Sequence, residues 1–120
     1  MSDSRFPRSV FGVGSDPDPR FTLANERTFL AWIRTSLALI AGGVALEAFD
    51  VPLPATLRAV VSTFMLVVAI VLPVVAWVQW KRAERALRQQ RPLPFSIAIP
   101  VLVGTIVAIA AVLLVGELLA

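Results

Sequence analysis

Arg27 and Arg34 are the residues of this 120-residue chain best suited to a defined chemistry. Seven positions apart, they lie about 20° from each other on a helix, so two guanidinium groups form a ladder along one face. A guanidinium matches phosphate or carboxylate bidentately and stays charged, so the natural target of the ladder is an anion. Glu26 and Thr35 flank the pair as supporting polar groups. Ala31, Ala38, Gly42 and Ala45 fall on the same side of the wheel, and in membranes small residues mark close helix packing. The cationic face is therefore also read as a packing face. Other chemistry is scarce: the chain has no Cys, no His and no Tyr. Disulfide frameworks, thiolate or imidazole mechanisms and zinc sites of the usual ligand types are excluded. Glu26 has no second carboxylate nearby for paired acid and base roles, so no enzyme, cofactor or metal is expected.

These residues must be positioned by membrane helices. Apolar residues make up 58% of the chain and charged ones 16%, with a mean hydropathy of +0.81, well away from the roughly 25% charge of soluble domains. A hydrocarbon core of about 30 Å needs roughly 20 helical residues. Residues 59–80 give 22 positions without a charge and residues 92–116 give 25. The first segment is shorter, with 12 uncharged residues at 35–46; it spans only if Arg34 is included. Residues 37–46 have no polar face, which disfavours an interfacial helix. A late start and no apolar run before residue 29 disfavour a signal peptide.

The expected fold is thus all-α, an integral membrane protein of three transmembrane helices at about 22–48, 57–89 and 95–119. Residues 1–20, rich in Pro, Gly, Ser and Asp, are expected to be a flexible cytoplasmic tail, and 21–120 the membrane domain. Pro52 and Pro54 define the first turn, Pro73 falls inside the second helix, and Pro100 sits near the start of the third. Glu84 and Arg88 have the spacing of a helical ion pair. Gly104 and Ala108 read as a packing pair on the third helix.

Positive charge sets orientation. Arg5, Arg8, Arg20 and Arg27 precede the first span, and Lys81, Arg82, Arg85, Arg88 and Arg91 follow the second, whereas the other connection holds only Arg58. Both basic segments belong in the cytoplasm, giving N-in and C-out, and the basic balance reflects topology and lipid headgroups, not nucleic acid. Lys81, Arg85 and Arg88 share a helical face that extends a cytoplasmic basic mouth. Arg34 lies about 9 Å inside the expected cytoplasmic edge. That depth leaves open snorkelling, a structural pair with Glu26, or an anion site of the kind intramembrane charge marks.

The run from Leu23 to Leu39, with Asn25, Glu26, Arg27, Thr28, Phe29 and Leu30 at its heart, resembles the signature of the YidH-like family, domain of unknown function 202. The resemblance extends from about Arg20 through the three spans. It implies a multi-pass protein of the bacterial inner (plasma) membrane. The same domain forms the membrane portion of the fungal vacuolar transporter chaperone, whose basic first-helix residues line a polyphosphate channel. The resemblance thereby implies phosphate contact at Arg27 and Arg34; it covers the membrane portion alone and not the polymerase or phosphate-sensing domains, so polyphosphate synthesis is not implied. Three helices enclose no conduit, so a homo-oligomer with first helices toward the axis is expected. Two functions follow: an anion conduit or gate for phosphate or polyphosphate, or a non-conducting accessory subunit that docks on or stabilises another membrane protein through the same face.

Overall fold

Asp18 and Pro19 start the first long helix. The Asp18 carboxylate accepts from the Arg20 backbone N–H at 2.9 Å, and Pro19, whose missing N–H costs nothing there, takes the first helical position. This cap moves the start to residue 19, ahead of the expected 22. The computed structural model describes residues 5–119, and within them the fold is all-α: α1 (Arg8–Phe11), α2 (Pro19–Ala48), α3 (Ala55–Arg88) and α4 (Ala98–Leu119).

The remaining boundaries also have local causes. Phe49 turns extended after α2, its N–H returning to the Ala45 carbonyl, and Pro52 and Pro54 bar continuation before α3. α3 runs unbroken through Pro73. At its end Gln90 takes a positive φ of 54°, and the amides of Gln89, Gln90 and Arg91 return to the carbonyls of Arg85, Leu87 and Ala86. α4 begins at residue 98, later than the expected 95. Pro100 has no N–H to extend the helix backward, and the first turn closes through Ile99 to Ser96 and Val101 to Ile97.

α2, α3 and α4 are each long and apolar enough to cross a membrane. Their 30, 34 and 22 residues correspond to about 45, 51 and 33 Å. α4 therefore matches a core of about 30 Å, while α2 and α3 overhang it. The described chain is 64 Å long and 24 by 20 Å across.

Small residues decide how the first two spans pack. Ser62, Ala69, Ala76 and Ala83 recur every seven positions on α3 and all are buried. They admit an α2 seam that includes Trp32, Ser36, Leu39 and Gly43, so α2 and α3 form a tight antiparallel hairpin. α4 lies more loosely along α3, anchored where Ala98 joins Leu39, Val68, Ala69 and Leu72, and makes no close backbone approach to α2. Gly104 and Ala108, expected to pack, are exposed, and a Cβ on Gly104 would meet nothing within 4 Å. Residues 5–18, expected as a flexible tail, lie against the end of α3 with Pro7 and Val10 buried. Gly14 is required there: its φ is +58°, and a Cβ would collide with the Arg88 carbonyl. Residues 1–4 of that expected tail and Ala120 lie outside the described residues.

Candidate functional site

Two interhelical ties fix the level of Arg34. Asn25 Nδ2 donates to the Trp80 carbonyl at 3.1 Å, and Ser62 Oγ donates to the Gly43 carbonyl at 2.7 Å. Between them the antiparallel register sets Arg34 level with Val71. Val71 is ten positions from Lys81 and thirteen from Arg58, about 15 and 20 Å along the axis. Arg34 thus lies level with the middle of the uncharged run of α3.

The α2 seam against α3 falls about 140 to 200° around the helix from Arg34. Arg27 and Arg34 are accordingly exposed on the face turned away from α3, as is Glu26. Among the described residues none of the three has an ion pair, so the Glu26–Arg34 pair does not form. Thr35 is half-buried and donates its hydroxyl to the Ala31 carbonyl at 3.1 Å, inside its own helix. Ala31 and Ala38 share the exposed face, whereas Ala45 is half-buried and Gly42 lies under the Met65 methyl. Within the chain the small-residue face of α2 is therefore not the packing face. Close approach comes at Gly43, where a Cβ would stand 3.1 Å from Leu66 Cγ and 3.3 Å from the Ser62 carbonyl.

The basic face of α3 is occupied differently from its helical spacing. Arg88 is 5% exposed and is turned onto the N-terminal segment. Its Nε donates to the Val13 carbonyl at 2.8 Å, Nη2 to Phe11 at 3.2 Å and Nη1 to the Asp16 carboxylate. Arg85 Nη1 donates to the Ser9 carbonyl at 2.8 Å, and Lys81 stands over the Trp77 ring at 5.8 Å. Residues 9–16 cover much of the expected mouth and withdraw Arg88 from solvent anions. The Arg5 and Arg88 guanidiniums hold the Asp16 carboxyl below its ordinary value, and Arg20 does the same for Asp18.

The expected Glu84–Arg88 ion pair is also absent. Glu84, 1% exposed, faces α2, accepting from Asn25 Nδ2 at 3.3 Å and Thr22 Oγ1 at 3.4 Å. Local spacing hid this polar clasp, because an i,i+4 cation offered a nearer partner. The signal that finds it is the seven-residue recurrence of Ser62, Ala69, Ala76 and Ala83, which turns the flanking Glu84 toward α2.

The family described as Domain of unknown function (DUF202) matches residues 20–86, which include the exposed arginine face and the clasp. Inner membrane protein YidH of Escherichia coli is 37% identical over 108 residues, 89% of this chain and 93% of that protein. An uncharacterized protein of Mycobacterium tuberculosis is 40% identical over 80 residues, 66% of each chain. No solved structure matches. With over half its length matched and a relative of this identity along most of it, the chain belongs to the DUF202, or YidH-like, family.

Proposed function

We propose that this is a multi-pass inner (plasma) membrane protein that self-associates through the outer face of α2. There it forms an anion conduit or gate, with phosphate or polyphosphate the anion class and Arg27 and Arg34 the groups that meet it. Arg34 carries this reading: a guanidinium level with the uncharged run of α3, exposed, with no ion pair among the described residues. An arginine at helix centre costs about 2.5 to 3.5 kcal/mol on insertion scales, and such residues face protein or water. Neighbouring copies of α2 cover that face, and the exposed Ala31 and Ala38 let the helices close. Several guanidiniums brought to one axis then call for anions between them.

The basic ends of α2 and α3 face the cytoplasm, giving N-in and C-out, and the inner membrane follows the name of the Escherichia coli relative. The chain transforms no substrate. A second reading, a non-conducting accessory subunit, draws on α4, whose Gly104 and Ala108 edge is exposed among the described residues.

Purified protein in liposomes tests the conduit. Anion efflux from loaded vesicles is expected, at least tenfold reduced in Arg34→Leu at unchanged oligomeric size. No efflux refutes conduction, and efflux unaltered in both Arg34→Leu and Arg27→Leu refutes a conduit built on these arginines. A C-terminal reporter active only in the cytoplasm refutes the orientation.

A further inference from the structure

Arginines at the end of α3 wall an open recess on the opposite side of that helix from α2. Arg82, Arg85, Arg91 and Gln89 line it, and Pro92 and Pro94 bound it from the α3–α4 connection, enclosing about 210 Å³. Arg82 is two positions from Glu84, the residue that takes the α2 hydrogen bonds, and so about 200° around the helix from it. The recess is thereby separate from the face bearing Arg27 and Arg34 and independent of the proposed conduction.

These arginines are not needed to cap the helix. The carbonyls of Arg85, Ala86 and Leu87 are taken by the amides of Gln89, Arg91 and Gln90, and that of Arg88 by Ser15. Nor are they neutralised: no carboxylate lines the recess, and the Arg82 and Arg91 side chains have no hydrogen bond or ion pair among the described residues. Arg85 commits only Nη1, to Ser9. The nearby acidic residues are used elsewhere, Asp16 by Arg5 and Arg88 and Asp18 by Arg20.

We propose that this recess binds one phosphoryl-type anion, gripped by Arg82 and Arg91 and by the free nitrogens of Arg85. Guanidinium forks supply the charge and the paired donors that phosphate oxygens accept. The volume falls below the roughly 300 to 1,000 Å³ of drug-sized ligand sites, which suits a single phosphate or lipid headgroup. The anion comes either from a phospholipid at the membrane surface or from phosphate in the water.

The test uses the full chain, its Arg82→Gln/Arg91→Gln variant, and Arg8→Gln as a control that removes an exposed arginine outside the recess. Each is placed in phosphatidylcholine nanodiscs, with or without phosphatidylglycerol, and inorganic phosphate is titrated into the lipid-neutral discs. Retained phosphatidylglycerol is counted by native mass spectrometry, and phosphate binding is read from the shift in Tm. The expected result is binding by the parent protein, at least tenfold weaker in the double variant and within twofold in Arg8→Gln. Retained phosphatidylglycerol without a phosphate response assigns the lipid source; a phosphate response in neutral discs assigns the free ion. Binding of neither, or equal weakening in Arg8→Gln, overturns the proposal. Should the Gln pair lose its helical spectrum, Arg82→Lys/Arg91→Lys replaces it. That pair keeps the charge without the fork and is expected to bind at least threefold more weakly; unchanged binding overturns the assignment.

Discussion

Replacing Arg88 with Ala detaches the N-terminal segment from α3. Its guanidinium donates to the Val13 carbonyl at 2.8 Å and the Phe11 carbonyl at 3.2 Å, pairs with Asp16, and stands 5.4 Å from the Phe11 ring centroid. A hydrogen bond from a charged donor contributes about 1.5 to 3 kcal/mol net. The Asp16 side chain is 67% exposed, so its ion pair adds little after screening. The released segment wets its own carbonyls, so the loss is not the sum of the bonds. Attachment is expected to weaken by about 2 to 3 kcal/mol, a factor of roughly 30 to 150. The reporter is the Ser15 amide, which donates to the Arg88 backbone carbonyl at 3.1 Å, a bond the substitution leaves chemically possible. Hydrogen exchange at Ser15 should accelerate by that factor while amides around Gly43 and Ser62 keep their protection. Ser15 exchange within threefold of the parent protein refutes the idea that Arg88 anchors the segment.

The same attachment carries a pH dependence. Arg5 and then Arg88 depress the Asp16 carboxyl below 3.8, so its contribution is present above that value and is lost as pH falls through the lower folded value. Phe11 lies 6.4 Å from Trp80, so a tryptophan fluorescence change confined to pH below about 3.8 and absent in Asp16→Asn is expected. In mixed micelles, a double-mutant cycle of Asn25→Ala and Glu84→Gln should return a coupling of about 0.6 to 1.7 kcal/mol; additivity within about 0.3 kcal/mol rejects the clasp. Gly43→Leu should destabilise the hairpin by about 1 to 3 kcal/mol through overpacking. Gly104→Ala, which meets open space, should be neutral or stabilising by up to about 1 kcal/mol. Equal effects of the two substitutions on reversible unfolding would contradict the packing described.

Most of the architecture is legible without a structure because it is written in one dimension. A run of 22 uncharged residues has one low-energy home, and a backbone in hydrocarbon must satisfy its own hydrogen bonds, so three apolar runs become three helices. Their ends follow from prolines and caps within a few residues. The site is less legible. On a wheel, Arg34 and the small residues beside it share a face, but a wheel contains no partner. The seam went instead to Ser36, Leu39 and Gly43, because Ser62, Ala69, Ala76 and Ala83 make α3 the surface that admits a neighbour closely.

Composition and spacing by themselves determined the membrane class, the three spans, the cluster of positive charge at one end and the Arg27–Arg34 ladder, since each depends only on residue type and helical period. Tertiary structure decided the depth and exposure of Arg34, the turning of Glu84 toward α2, and the binding of Arg88 by residues 11–16. It also gathered Arg82, Arg85 and Arg91 into a recess free of carboxylates. These depend on which groups become neighbours across helices. Electrostatic and hydrogen-bond partners are chosen by proximity in space, and a nearer partner along the chain gives way when packing turns its side chain elsewhere.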